Sequence, residues 1–199
     1  MKIFRENTYD VIRLYVNQLG IMIFSMLLYT AVGSIENESL SNALSIFVSI
    51  FSTCFYLALI YYAMWEIGAK DKIRIDGGRM EPCKRKGFVM ALFANIPNFV
   101  ISGLTVILMS LFLATKNDGI YAAFLIFNTI TRLHESMYLG IINAIAPAGL
   151  TAGSIDYIKF LIAAILFTVI PLVSVAVTHL AYTLGTREKK IFSFLSGKK

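Results

Sequence analysis

The sequence predicts an all-α fold, a polytopic transmembrane helical bundle, and three observations carry that prediction. Hydrophobic residues make up 57% of the 199-residue chain and charged residues 15%, against about a quarter charged in an ordinary soluble domain. The charges cluster at the N-terminus, in Lys70 to Lys86 and after Arg187 instead of spreading as a solvated surface requires. Between the clusters lie long apolar segments that meet or approach the roughly 20 residues a helix needs to cross a hydrocarbon core of about 30 Å. Such runs lack the short alternating pattern of barrel strands, which leaves helices to satisfy the backbone in lipid.

The chain reads as a single transmembrane domain, 1–199, with five long apolar segments at about 16–34, 43–67, 88–115, 120–146 and 157–184. The basic start has the polarity of a signal peptide, but Glu6 and Asp10 interrupt it and the apolar run that follows is long. An uncleaved first span is expected. Asp10, Arg13 and Asn17 form a polar face that anchors this span at the interface. Ser45, Ser49 and Ser52 make a stripe on the second, as small residues do where helices pack closely in lipid. In the third, Asn95-Ile96-Pro97-Asn98 inserts a proline, which withdraws a backbone donor and frees the carbonyl of Phe93. Pro171 makes a similar kink in the fifth, with Thr168, Ser174 and Thr178 at hand to satisfy the backbone.

Lys and Arg set the orientation. The connection 68–87 carries Lys70, Lys72, Arg74, Arg79, Lys84, Arg85 and Lys86, so it is expected in the cytoplasm, with the N-terminus on the same side. Tyr61, Tyr62 and Trp65 just before it fit an inner aromatic belt. The turn Lys116-Asn117-Asp118-Gly119 then falls outside. The basic tail 185–199 argues for an inside C-terminus, with Ile191-Phe192-Ser193-Phe194-Leu195 lying on an anionic leaflet. Yet 147–156 has no Lys or Arg and reads as outside.

Five simple crossings cannot satisfy both signals. The conflict disappears if the fourth segment begins and ends outside, turning at Thr131 to Ser136, where Arg132, His134 and Glu135 would be costly at the centre of a bilayer. This makes the fourth segment a re-entrant or two-short-span hairpin, each arm about 15 Å long, and effectively six helices. A single span with an outside C-terminus is the alternative.

Two groups of residues are candidates for function. Asn95, Pro97, Asn98, Asn128, Arg132, Glu135 and His179 are candidates to line an intramembrane polar site. On a helix Arg132 and Glu135 share a face and pair, with Asn128 one turn earlier. Lys70, Lys72, Arg74, Arg79, Lys84, Arg85 and Lys86 are candidate contacts to lipid phosphates. Within that basic loop, residues 72–80 alternate and turn at Asp76-Gly77, suggesting a small hairpin or a tight cap. Gly149 to Gly153 reads as a flexible loop.

Several function classes find no support. The net charge of +6 comes without a basic stripe interleaved with aromatics, so nucleic acid is not an expected partner. Cys54 and Cys83 form neither a metal-ligand spacing nor a disulfide framework, and with His134 and His179 they are too few for a metal site. The zinc-protease helix, nucleophile elbow, phosphate-binding loop and dinucleotide fingerprint are all missing from the sequence. No cofactor is implied and a non-enzymatic role is favoured.

The stretch Trp65-Glu66-Ile67-Gly68-Ala69-Lys70-Asp71-Lys72-Ile73-Arg74-Ile75-Asp76-Gly77-Gly78-Arg79-Met80, with Ala94-Asn95-Ile96-Pro97-Asn98-Phe99 after it, resembles uncharacterised small polytopic membrane proteins of Gram-positive bacteria. The resemblance implies a multi-pass protein of the bacterial plasma membrane and no assigned activity. Two roles follow as expectations. The first is a small transport or substrate-binding membrane component using the intramembrane polar site. The second is an accessory or scaffold protein that binds partner helices, or a second copy, through its serine stripe and anionic lipids through its basic loop. An intramembrane enzyme ranks third.

Overall fold

The structure, a computed structural model, describes residues 7–147, 150–151 and 154–188. Its elements are α1 (Thr8–Gly33), α2 (Glu38–Asp76), α3 (Lys86–Thr115), α4 (Asp118–His134), a 3₁₀ turn (Ser136–Tyr138) and α5 (Leu139–Ile145). There follow β1 (Leu150–Thr151), β2 (Ser154–Ile155), α6 (Tyr157–Val169) and α7 (Pro171–Gly185). The expected interfacial segment in the tail 189–199 lies outside the described residues, as do Lys2 and Arg5.

Four stretches, Thr8–Gly33, Glu38–Asp76, Lys86–Thr115 and Tyr157–Gly185, are long and apolar enough to cross a membrane. Large apolar side chains on them point outward, among them Leu27 (66% exposed) and Phe47 (64%). An apolar coat of this extent needs lipid to cover it. The chain is therefore a helical, multi-pass integral membrane protein.

The fourth apolar segment is not among the four. It breaks between His134 and Ser136 into α4 and a ten-residue stretch, Ser136–Ile145, which corrects the count of five long segments. The break falls inside the window where a turn is expected. The first arm is longer than expected, about 25 Å by the helical rise, because α4 runs on to His134 and starts early at Asp118, capped by Asn117, whose Oδ1 accepts from the backbone N–H of Gly119 at 2.8 Å and of Ile120 at 3.4 Å. Lys116, at φ 54°, turns the chain there and sets its ammonium 5.6 Å from the Phe112 ring centroid and 5.8 Å from that of Tyr157.

The second correction concerns the basic loop 68–87. Helix α2 runs on to Asp76, giving 39 residues or about 58 Å, well beyond a hydrocarbon core. Charged residues are good helix formers and here they pair one turn apart, Lys70 with Glu66 at 2.7 Å and Lys72 with Asp76 at 2.5 Å. So residues 72–76 are helical and not strand. The tight cap is present: Gly78 sits at φ 67°, Gly78 N–H donates to Ile75 O and Arg79 N–H to Arg74 O at 2.9 Å, a Schellman closure that needs a residue able to adopt the left-handed conformation.

Pro97 lies inside a continuous α3, whereas Pro171 opens α7 one residue after α6 ends, a position where its missing N–H costs nothing. Thr168 and Thr178 donate to Ala164 O and Ser174 O. Asp156 caps α6 by accepting from Lys159 N–H at 3.2 Å, and that bond, with the ammonium of Lys159, holds its carboxyl below the usual range. Between α5 and α6, where a flexible loop is expected, Leu150 and Thr151 pair antiparallel with Ile155 and Ser154.

The chain divides into two compact units. One comprises Met1–Asn17, Leu57–Ala94 and Val173–Lys199; the other Gln18–Tyr56 and Asn95–Leu172. In the first, Ile60, Met64, Met90 and Tyr182 are buried, and α2 meets α7 where Gly68 and Gly185 face each other. A Cβ on Gly185 would lie 3.0 Å from Gly68 Cα, the close backbone approach that small residues permit. In the second, Met109, Phe112 and Phe124 form a core packed by Tyr121, Tyr157 and Phe160.

Candidate functional site

The unit formed by residues 18–56 and 95–172 is unusually polar inside. On α3, Asn95, Asn98, Ser102 and Thr105 are spaced three, four and three apart, which puts them on one helical face, and all four are buried. Gln18 on α1 donates to Asn98 Oδ1 at 2.7 Å, and Asn98 Nδ2 donates to Asn95 Oδ1 at 2.9 Å. On α4, Asn128 and Thr131 are buried, and the hydroxyls of Thr105 and Thr131 meet at 2.8 Å. Pro97, between the two asparagines, is only half-buried.

The break after α4 is held from two other helices. Ser136 Oγ donates to Met22 O at 2.9 Å, near the middle of α1, and Ser49 and Thr53 on α2 both donate to Met137 O, at 2.6 and 3.2 Å. These bonds leave the ladder of one helix to satisfy the backbone of another, a requirement where water is absent. The serine stripe therefore faces residues of its own chain: Ser49 and Ser52 are fully buried, and Gly140 packs on the carbonyl of Ser45.

The chain bends at this point. Arg132 Nη1 donates to Asn143 Oδ1 at 3.2 Å across eleven residues. A straight helix would separate those Cα atoms by about 16 Å, beyond the reach of the two side chains. The break also corrects the expected Arg132–Glu135 pair. Sharing a face at a spacing of three requires unbroken helix, but Glu135 is the C-cap of α4 at φ −112°, ψ 33°. Its side chain leaves the face of Arg132.

Glu135 is 1% exposed, and among the described residues neither of its carboxyl oxygens has a hydrogen-bond partner. Arg132 Nε and Nη2, Asn128 Oδ1, Ser25 Oγ and Ser52 Oγ are likewise buried without one. Buried polar groups are normally satisfied, so this concentration marks the break after α4 as the candidate site. Asn128, Arg132 and Glu135 lie within two turns of it along the chain, and Asn95 and Asn98 belong to the same unit.

His179 belongs to the other unit, not with these residues. There it lines a cavity of about 450 Å³ with Lys72, Lys84 and Arg187 among others. The candidate lipid contacts also separate. Lys86 is 4% exposed and bonds Asp71 Oδ2 at 2.6 Å, with Tyr182 Oη donating to the same oxygen at 3.0 Å. It is thus an interior ion pair and not a surface contact. Lys70 and Lys72 bond their own helix, and Arg74 lies 3.8 Å from Asp71. Arg79, Lys84 and Arg85 stay exposed with no ion pair among the described residues.

Sequence reasoning missed Gln18, Thr105 and Asp71. Gln18 had a signal, an amide next to Asn17 at the start of an apolar run. Asp71 had none, being one acid among many charges. Compared with family models, with curated proteins and with solved structures, the chain gives no match.

Proposed function

We propose that this protein is a small transport component of a bacterial plasma membrane, in which residues 118–145 form a re-entrant hairpin carrying an ion- or substrate-handling carboxyl, Glu135. The observation that carries the reading is the buried Glu135 carboxyl without a hydrogen-bond partner, at a helix break anchored to the middle of α1. Ionisable groups inside a membrane are expensive and are retained where they do work. Discontinuous helices that meet near mid-membrane are a recurrent way to present such groups to a solute or ion. The polar faces of α3 and α4 supply a seam of amides and hydroxyls beside it. The bacterial membrane rests on the resemblance of residues 65–80 and 94–99.

With the hairpin entering and leaving by one side, the four long helices are the crossings among the described residues. An even count puts both termini and all the basic connections on the cytoplasmic side, as the positive-inside rule asks. In a background lacking Cys54 and Cys83, Ser154→Cys is expected to react with an impermeant thiol label on intact cells and Ser196→Cys only after permeabilisation. The reverse pattern would rule out this topology.

A functional carboxyl and a structural one give opposite stability signatures. Replacing Glu135 by methionine removes an unsatisfied buried group and is expected to raise stability by about 1–3 kcal/mol, while a reconstituted protein loses its ability to dissipate an imposed proton or sodium gradient across liposomes. If Glu135→Met destabilises the fold, or if Glu135→Gln dissipates the gradient as fast as the unchanged protein, the site reading fails. The scaffold reading keeps the exposed basic residues Arg79, Lys84 and Arg85 but not Ser49 and Ser52, which are buried within the chain.

A further inference from the structure

We propose that the cavity lined by Lys72, Lys84, His179 and Arg187 is a binding site for a phosphate-bearing anion, distinct from the hairpin carboxyl. The cavity holds about 450 Å³, inside the range of about 300–1,000 Å³ typical of small-molecule sites. Three cations line it and no carboxylate does. Of the acids around it, Asp76 pairs with Lys72 at 2.5 Å and buried Asp71 is held by Lys86 at 2.6 Å and Tyr182 at 3.0 Å, while Glu81 and Glu188, next in sequence to Pro82 and Arg187, are exposed and outside the lining. Lys84 and Arg187, both exposed, have no ion pair among the described residues. The lining itself, among the described residues, therefore holds positive side chains and no negative one.

The remaining groups narrow the ligand. Tyr182 donates to Asp71, Thr183 to His179 O and Thr186 to Thr183 O, so the lining hydroxyls have spent their protons within the fold. His179 lines the cavity with its ring packed edge-on to Phe88 at 6.2 Å, and its Nδ1 is turned into the protein. Recognition then falls to one guanidinium and one ammonium, a set suited to the tetrahedral oxyanion of a phosphate mono- or diester. Ile75 and Pro82 give the cavity an apolar side, and its volume exceeds a bare phosphate. A phosphate with a small organic group attached fits, from either a phospholipid headgroup or a water-soluble phosphate ester.

Two probes separate the sources. Glycerol phosphate added to the protein in uncharged detergent tests the soluble ester. Nanodiscs of phosphatidylglycerol against phosphatidylcholine test the headgroup. At least one of the two anions is expected to raise the melting temperature, with an effect that weakens as salt rises. Changing both Lys84 and Arg187 to glutamine is expected to weaken that binding about tenfold or more and to leave the melting temperature without ligand unchanged, since both side chains are exposed. His179→Gln is expected to weaken it less. Arg79→Gln with Arg85→Gln removes the same charge away from the cavity and serves as the control. Absence of response to both probes, or equal losses from the cavity pair and the control pair, would overturn the proposal.

Discussion

Replacing Asp71 by alanine is expected to cost about 3–5 kcal/mol of stability, read as a fall in melting temperature or denaturant midpoint in mild detergent. The Asp71 and Lys86 side chains are 2% and 5% exposed, and Nζ lies 2.6 Å from Oδ2. Removing the carboxylate strands a buried ammonium and leaves the Tyr182 hydroxyl without its acceptor. Taken whole, the pair contributes little, because desolvating both charges offsets most of their attraction. Asp71→Leu combined with Lys86→Met is therefore expected to recover much of what either single change loses. The comparison is Glu66→Ala, whose partners Arg13 at 3.7 Å and Lys70 are 41% and 61% exposed. It should change stability by no more than about 1 kcal/mol. Equal effects from Asp71→Ala and Glu66→Ala would show that the interior pair is not what ties the end of α2 to α3 and α7.

Gly140→Val is expected to destabilise the hairpin by at least about 1–3 kcal/mol, the usual cost of overpacking. A Cβ at Gly140 would overlap Ser45 O and Tyr29 Oη and come 2.6 Å from Ser45 C. Tyr29 Oη itself donates to Ser45 O at 3.1 Å, so moving aside breaks that bond. A carbonyl inside α2 cannot move without disturbing its helix. Gly20 and Gly103 are the controls. Both lie inside long helices with nothing within 4 Å of a built Cβ, and alanine at either should gain about 0.5–1 kcal/mol from the helix backbone. Thermal melts of Gly140→Val, Gly20→Ala and Gly103→Ala separate close packing from helix propensity. A neutral Gly140→Val would mean that α5 does not pack tightly on α2.

The long helices were legible because lipid imposes a one-dimensional requirement, enough apolar residues in a row. Composition alone meets it, without knowledge of neighbours. The break in the fourth segment was legible for the same reason: Arg132, His134 and Glu135 interrupt the run, and a helix is a poor host for three ionisable groups at depth. The basic stretch misled because charge was equated with loop. Lysine, glutamate and arginine extend a helix readily outside the hydrocarbon, and only the glycines at 77 and 78 stop it.

Chain sequence by itself thus determined the membrane class, the four long apolar helices and the place where the fourth segment yields. Tertiary structure alone decided which polar groups meet. Asp71 finds Lys86 across fifteen residues, Gln18 finds Asn98 across eighty, and Arg132 turns to Asn143 instead of Glu135. Hydrophobic patterning is a local property that every residue in a span reports. A hydrogen bond between distant helices depends on their rotation and depth, which no single stretch of sequence encodes.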